Sequence, residues 1–475
     1  PLDDGHKPML FINDYRINHG KDIGLNADIT GRRSIVRMGA YIIIFPDGVY
    51  YNTVDEEDYG QIGNTTTGRS TEKFTAEEIN RVIGYGVSYF QGIHYGLFAA
   101  YSHSTGMGDS YPENPQENDF FFLNGEDGYT LTRYNGGGWR AMEYTKYTIC
   151  DGEGNELHPT SVGTTAPGNP SDGALFFNTE DGMLERWYDE ESMWVPVTYY
   201  IKLSAPGIGA GFKAGDWFYF EPVGTGGLVP SEASIAGQNK GNHEIIQCGN
   251  DFIVFSGATK RPEVILYEYA DLVGMALYVK AERELPDMDY VVECQNRLWG
   301  CKYGNEDGKK INEIYCCKQG DFRSWRTYAG ISTDAATISV GVPGEFTGAV
   351  TMGNNPIFFK KNSMLQIYVS ATGYHQLSTV SIDGVQPGAA ESLVIINNLL
   401  YYRGNRGFYV YDGSYPVKIS EALPPDIEFR TVRASAAKDK YYAACEADDD
   451  THKWFIYVYD VRKGIWHKER ICEDY

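Results

Sequence analysis

The chain has 475 residues, with 64 Asp and Glu against 41 Lys and Arg and a formal net charge of −23. This charge argues against a protein that binds nucleic-acid phosphates or an anionic membrane surface, because both kinds of binding need a surplus of Lys and Arg. The length predicts two to four domains, eight cysteines are too few for a disulfide scaffold, and no apolar run approaches the roughly 20 residues that span a bilayer.

The composition favours an all-β fold. The chain contains 37 Tyr and 54 Gly, and Tyr suits half-buried pleated surfaces while Gly suits tight turns. Residues 34–53, SIVRMGAYIIIFPDGVYYNT, predict two or three strands with Pro46-Asp47-Gly48 as a hairpin turn. We therefore expect many short strands and little helix.

One short helix is predicted at FTAEEINRVI. Thr75 and Glu78 have the spacing of a capping box, in which the two side chains satisfy free backbone N–H groups at a helix start. An apolar face follows at Ile79, Val82 and Ile83. We expect no other substantial helix.

Residues 104–257 are rich in Gly, Pro, Asn and Asp and contain an internal repeat, with copies at 114–139 and 169–194. Each copy has Asn-Pro, an aromatic cluster, Glu-Asp-Gly, an Arg followed by an aromatic residue, and Trp. This order predicts a hairpin whose Glu-Asp-Gly turn brings the aromatic residues before it and the Trp after it onto one face. A third module is predicted at about 205–257, so residues 104–257 form an insert of small all-β modules.

A looser repeat of about 45–60 residues follows, each unit combining an apolar strand, a polar turn and an aromatic strand. Residues 34–53 fit the same template. Four-stranded units of about 40–50 residues are typical of β-propeller blades. We therefore predict a discontinuous β-propeller of about five to seven blades, built from residues 1–103, which include the helix, and 258–475.

Four cysteines, Cys294, Cys301, Cys316 and Cys317, lie close together in the sequence. Adjacent residues of a strand point to opposite faces, so one metal ion would not easily reach both Cys316 and Cys317. The spacings also differ from the short Cys pairs of zinc sites. We expect buried, reduced thiols and neither metal nor cofactor, although a Cys294–Cys301 disulfide across a turn stays geometrically open.

The sequence contains no nucleophile elbow, zinc-protease or Walker motif, and we expect no catalytic residues and no enzyme. Acidic residues are abundant, so paired carboxylates for glycoside hydrolysis could still assemble in space, and a polysaccharide-degrading enzyme stays open as a lesser alternative. The candidate binding residues are Trp139, Trp187 and Trp194, whose rings could stack on sugars or could form the cores of the small modules.

Residues 296–300 (NRLWG) and the later Gly320, Asp321 and Trp325 resemble the central motifs of a family of bacteriophage virion proteins with a β-propeller. The likeness covers about 205–475, and it differs at Phe322, where Pro is usual. By module type it extends over about 110–200, which is similar to the short β modules of phage tail and fibre proteins.

The resemblance implies a virion structural protein, namely a tail nozzle or hub of a short-tailed phage, made in the host cytoplasm. It implies a homo-oligomeric ring around the DNA exit channel that contacts adaptor, fibre or tail-tip proteins and acts in tail assembly and DNA ejection. An acidic wall would repel DNA phosphates, so the genome would pass without sequence-specific binding. The alternative is a receptor- or glycan-binding propeller at the tail tip.

Overall fold

The computed structural model describes residues 11–12, 15–16, 23–26, 33–84, 105–117, 119–224, 239–259, 262–267, 277–306, 308–327, 329–423, 428–449 and 452–469. These residues form an all-β protein, as the Tyr and Gly content predicted. Helix α1 (Ala76–Gly84) and a short 3-10 helix (Ala390–Ser392) are the helical elements of the described residues. None of them has the length and apolar character needed to cross a bilayer.

The described strands are, in chain order, β1 (Phe11–Ile12), β2 (Tyr15–Arg16), β3 (Ser34–Met38), β4 (Tyr41–Phe45), β5 (Val49–Asn52), β6 (Tyr59–Gln61), β7 (Asn64–Gly68), β8 (Thr105–Gly108), β9 (Phe120–Gly125), β10 (Gly128–Tyr134), β11 (Trp139–Ala141), β12 (Tyr144–Cys150), β13 (Ser161–Gly163), β14 (Leu175–Asn178), β15 (Leu184–Tyr188), β16 (Met193–Pro196), β17 (Tyr200–Ser204), β18 (Trp217–Gly224), β19 (Gly241–Gly249), β20 (Phe252–Phe255), β21 (Glu263–Tyr267), β22 (Leu277–Arg283), β23 (Tyr290–Glu293), β24 (Leu298–Glu306), β25 (Lys309–Cys316), β26 (Ala336–Ser339), β27 (Phe346–Met352), β28 (Asn355–Lys360), β29 (Ser363–Tyr368), β30 (Gln376–Ser381), β31 (Val394–Ile396), β32 (Leu399–Gly404), β33 (Gly407–Tyr411), β34 (Val417–Lys418), β35 (Phe429–Ala437), β36 (Lys440–Ala447), β37 (Trp454–Asp460) and β38 (Ile465–Glu469).

The chain divides into two compact units. Unit 1 combines Pro1–Ile62 with Leu285–Tyr475, and unit 2 is the intervening Gly63–Glu284. The sequence predicted an insert at 104–257. Unit 2 is longer than this range, because it also contains β7 and α1 before it and β21 and β22 after it. Unit 1 is thus built from two separate stretches of chain.

Unit 1 contains five four-stranded antiparallel sheets whose strands follow one another in sequence order. We name them sheet I (β3–β6), sheet II (β23–β26), sheet III (β27–β30), sheet IV (β31–β34) and sheet V (β35–β38). In each sheet a two-residue turn joins the first two strands, and its first residue has positive φ. These turn residues are Gly39, Gln295, Gly353, Asn397 and Lys438. The five predicted repeat units each lie in one of these sheets.

Consecutive sheets of unit 1 share hydrophobic cores. One core joins sheets I and II and includes Ile43 and Leu298. Another joins sheets II and III around Trp299 and Phe358, and the largest joins sheets III, IV and V around Tyr402. Each sheet therefore packs on the next along the chain. The many small antiparallel sheets are confirmed, whereas the propeller stays a prediction.

Unit 2 is built on one curled eight-stranded sheet in the order β21-β12-β17-β20-β19-β18-β22-β7. Strands β18, β19 and β20, from the predicted third module at 205–257, pair here with β17 and β22. Just beyond β7, Ser70 exchanges two backbone hydrogen bonds with Tyr144 of β12, with N–O distances of 2.7 and 2.9 Å. The sheet therefore curls into a half-barrel.

Two smaller sheets complete unit 2, and they have the same topology. We name them the first module sheet (β8–β11) and the second module sheet (β13–β16). In each, the first strand is parallel to the second, and the remaining strands form antiparallel hairpins. Their hairpins contain the two repeat copies at 114–139 and 169–194, so the sequence repeat is also a structural repeat.

Helix α1 begins with the predicted capping box. The Glu78 carboxylate accepts a hydrogen bond from the Thr75 backbone N–H at 2.8 Å, and Thr75 Oγ1 accepts one from the Glu78 N–H at 3.2 Å. Ile79 is fully buried in the core of unit 2. The side chains of Val82 and Ile83, the rest of the predicted apolar face, lie outside the described residues.

Candidate functional site

The structure places the three candidate tryptophans in the two module sheets. Trp187 and Trp194 are cross-strand partners of β15 and β16, and their ring centroids lie 5.5 Å apart at an interplanar angle of 62°. Trp139 lies in the first module sheet, opposite Tyr134, with ring centroids 5.5 Å apart. All three indoles are half-buried. The structure therefore brings Trp187 and Trp194 together and leaves Trp139 in the other module sheet.

Both module sheets use their two faces in the same way. Phe122 and Phe177 are fully buried in the core of unit 2. The residues before them, Phe121 and Phe176, point to the opposite face because side chains alternate along a strand. There each packs against the Trp after the hairpin: Phe121 against Trp139 and Phe176 against Trp194, both with centroids 5.8 Å apart. The predicted clustering of aromatics on one face is thus found in both copies.

The two clusters differ at one neighbouring position. In the first module sheet Tyr111 stacks on Trp139, with centroids 4.7 Å apart and planes only 3° from parallel. The strand register makes Gly106 equivalent to Ser161, because they pair with Phe121 and Phe176 respectively. Counting from these residues, Ala166 takes the place of Tyr111 in the second copy. Trp194 therefore has no equivalent of the stacked tyrosine ring at this position.

Apolar side chains also reach solvent around the second cluster. Met183 and Met193 are 42% and 51% exposed, and Tyr188, which pairs with Met193 across the strands, is 39% exposed. Trp187 donates its indole N–H to Asp189 at 2.6 Å. A half-buried indole pair with nearby polar groups has the amphipathic character of a surface that stacks on a sugar ring. Tyr111 lies before the repeat copy at 114–139, so comparing the copies did not reveal its role.

The residues that resemble the phage family have structural roles in sheet II. Gln295 and Asn296 form the turn between β23 and β24 with φ of 55° and 57°. The buried Arg297 follows, and its guanidinium donates to three backbone carbonyls, those of Asp334 at 2.7 Å, Ser332 at 2.8 Å and Cys317 at 3.0 Å. Arg297 therefore joins the start of β24 to the long connection between β25 and β26.

The second motif, at 320–325, forms a turn in that connection. Phe322, at the position where the family usually has Pro, packs its ring on Tyr41 and Tyr50 of sheet I, with centroid distances of 4.8 and 5.1 Å. Trp325 is buried and donates its indole N–H to the Phe322 carbonyl at 2.8 Å. Phe322 therefore supplies an aromatic contact between sheets I and II.

The four cysteines of sheet II are buried free thiols. Cys316 lies in the core between sheets II and III, whereas Cys317 lies in the core between sheets I and II, so the adjacent thiols face opposite sides of the sheet as predicted. Burial raises the pKa of the Cys294 thiol to about 12 and that of Cys316 to about 11. Such thiols stay protonated at neutral pH and are poor nucleophiles and metal ligands.

Within the described residues, no group of three or more His, Cys, Asp or Glu side chains is arranged to hold a metal ion. The chain matches no protein-family model and no curated protein.

Proposed function

We propose that this chain is a non-enzymatic structural component of a bacteriophage virion tail, in which copies form a nozzle or hub ring around the DNA exit channel. The observation that carries the proposal is the succession of sheets I–V, five four-stranded meanders that each pack on the next along the chain. This is the arrangement of consecutive propeller blades, and we propose that the sheets form a β-propeller.

The positions of the family-like residues support a structural role. Arg297, Trp299 and Trp325 are all buried, and their polar atoms bond backbone carbonyls. A motif whose side chains hold sheets together suits a protein whose task is to keep a fixed shape. The module sheets of unit 2 would then supply contacts to neighbouring tail proteins or attachment points for fibres.

The charge of the chain supports passage of DNA through such a ring. A net charge of −23 per chain, multiplied by the copies in a ring, produces a negative potential that repels phosphates and prevents the genome from adhering. A closed ring also needs head-to-tail interfaces between copies, so the chain would form a homo-oligomer of cyclic symmetry.

Cryo-EM of purified virions tests the proposal directly. We expect several ordered copies of the chain arranged cyclically at the tail, and native mass spectrometry of the recombinant chain should show a closed oligomer. A chain that is absent from virions and stays monomeric at all concentrations would exclude the structural role.

A receptor- or glycan-binding role at the tail tip is the second candidate, and the indole pair of the second module sheet favours it. Trp194→Ala should then abolish binding of virions or chain to a glycan array, while Trp139→Ala, whose ring is covered by Tyr111, should leave binding unchanged. If both variants bind as the wild type does, the indoles are module cores and the second candidate fails.

A further inference from the structure

A cavity of about 360 Å³ lies between sheets IV and V. Its lining includes Arg403 of β32, Lys418 of β34, Phe429 of β35 and Tyr457 of β37. The volume falls at the lower end of the range of about 300–1,000 Å³ found for small-molecule sites. It is therefore larger than a bare ion needs and is suited to a ligand of monosaccharide size.

Arg403 is the buried charge of this cavity, and the protein holds its guanidinium in one place. The side chain is 8% exposed, and its Cζ lies 5.4 and 5.3 Å from the ring centroids of Phe408 and Phe429. Its Nε donates to Gln386 Oε1 at 3.0 Å, and Gln386 in turn donates to the Phe429 carbonyl. Two rings and one amide thus fix the plane of the guanidinium before any ligand binds.

The other end of the Arg403 guanidinium has no hydrogen-bond partner among the described residues. Its bond to Gln386 uses Nε alone, and the two Nη groups make no hydrogen bond within the part of the chain that the structure describes. The carboxylate of the nearby Asp383 accepts from the backbone N–H groups of Asn405 and Arg406 and from the Asn405 amide, at 2.9–3.2 Å. A buried cation without a bonded counter-ion is unfavourable. Binding of an anion beside Arg403 would therefore be favourable.

Hydroxyl groups and further cations also line the cavity. Ser420 Oγ accepts the backbone N–H of Phe408 at 2.9 Å, which leaves its own hydrogen available to donate. Tyr457 is buried and lines the same space. Arg406 and Lys418 add positive charge, and two exposed carboxylates also line the cavity: Glu421, which pairs with Lys418 at 3.5 Å, and Glu428. The buried charge of the cavity, the Arg403 guanidinium, is therefore positive, although the chain as a whole is strongly acidic.

We propose that this cavity binds a carboxylate-bearing sugar unit. The two free Nη groups of Arg403 form the planar fork that a carboxylate accepts in bidentate fashion. The hydroxyl and amide groups of the lining match the hydroxyls of a sugar, and the cavity volume matches one ring. This site lies in unit 1, far along the sequence from the tryptophans of the module sheets, and it does not depend on the proposed role in the tail.

Isothermal titration calorimetry of the full chain tests the proposal with glucuronate, glucose and inorganic phosphate as probes. We expect glucuronate to bind at least tenfold more tightly than glucose and phosphate. R403M should weaken glucuronate binding at least tenfold, and R403K should weaken it less, because an ammonium keeps the charge but not the fork. R433M removes an arginine that is 64% exposed on β35 and should leave binding unchanged.

Circular dichroism and thermal unfolding show whether R403M retains its fold. If it does not, S420A and Y457F serve in its place, and each should weaken glucuronate binding severalfold. Equal binding of glucose and glucuronate, tighter binding of phosphate than of glucuronate, or unchanged glucuronate binding in a folded R403M would each overturn the proposal.

Discussion

Buried cations join neighbouring parts of unit 1. Arg297 bonds carbonyls of the connection between β25 and β26. Lys360 of sheet III donates to Asn312 of sheet II at 2.7 Å and lies over the Tyr303 ring at 4.7 Å. Arg403 of sheet IV lies over Phe429 of sheet V. Because a buried charge must have partners to be tolerated, these side chains fix how consecutive sheets meet.

Arg297→Met should destabilise unit 1 strongly. The substitution removes three hydrogen bonds from a charged donor and leaves the buried Cys317 carbonyl and the part-buried carbonyls of Ser332 and Asp334 without that partner, so we expect a loss of about 2–4 kcal/mol in unfolding free energy. Urea-induced unfolding provides the measurement. Arg462→Met, at a side chain 79% exposed, is the matched control and should change it by less than about 1 kcal/mol. A similar small change for R297M would contradict the proposed role.

Lys360 should make stability depend on pH in an unusual direction for a lysine. Burial lowers its pKa from 10.5 to about 8. Between pH 8 and 10.5 the unfolded chain therefore binds more protons at this residue than the folded chain, and the stability it contributes rises with pH. Below pH 8 the lysine is charged in both states and the folded state bears the full cost of burying that charge.

The difference in unfolding free energy between wild type and Lys360→Met isolates this effect, because other titrating groups cancel. We expect the difference to move in favour of wild type between about pH 7.5 and pH 9.5. The neighbouring exposed lysine supplies the control, since Lys361→Met should show no such trend. A difference that stays constant with pH would show that burial does not lower the pKa of Lys360.

At the scale of elements, local signals in the sequence predicted the hairpins well. The Glu-Asp-Gly turns, the capping box of α1 and the opposite faces of Cys316 and Cys317 all follow from spacing over a few residues, and the structure shows each of them. The same is true of the aromatic pairs in the module sheets, because cross-strand partners lie at a fixed distance from their turn.

Long-range pairings were not predictable in this way. Strand β7 pairs with β22, so Thr67 lies opposite Lys280 although most of the sequence of unit 2 separates these two residues. Strands β8 and β13 are short and carry little apolar pattern, so nothing local indicated their parallel pairing. The Arg403 cavity was missed for a related reason: its lining comes from two sheets, and an arginine within an aromatic strand shows no motif in the sequence.

The turn between β35 and β36 contains a residue type that its backbone conformation disfavours. Lys438 and Asp439 both adopt positive φ, 47° and 58°. Residues other than Gly, Asn and Asp enter this region at a cost, so the cost falls on Lys438. Lys438→Asn should therefore raise the unfolding free energy by about 0.5–1 kcal/mol. Lys440→Asn, at the first residue of β36, is the control and should give no gain in chemical denaturation. Equal gains at both positions would contradict the explanation by backbone conformation.

At the scale of the whole molecule, the boundaries between the two units, at 62/63 and 284/285, determine where the chain can be cut into separate folding units. Ile62 donates its backbone N–H to the Gly48 carbonyl at 2.7 Å, and a Cβ added to Gly48 would lie 2.7 Å from a Leu285 side-chain carbon. The two segments of unit 1 therefore meet unit 2 at points, Ile62 and Leu285, that lie next to the same turn. Within unit 2, Asn64 of β7 pairs with Arg283 of β22, so its two ends are also adjacent. Adjacent ends are typical of an inserted domain.

Each unit should consequently fold without the other. We expect a chain in which a short Gly-Ser linker replaces residues 63–284 to show a β-type circular dichroism spectrum and cooperative thermal unfolding, and isolated residues 63–284 to do the same. The matched control deletes only 63–200, which removes β7 and β12 from the curled sheet, leaves β21 without its strand neighbour and exposes an edge of β17 and of β22, so it should aggregate or stay unfolded. If the 63–284 deletion fails to fold while the partial deletion succeeds, the sheets of unit 1 depend on unit 2. If the linked unit 1 folds and still forms a closed oligomer, the ring contacts lie on the five meander sheets and the module sheets are free to face other tail proteins.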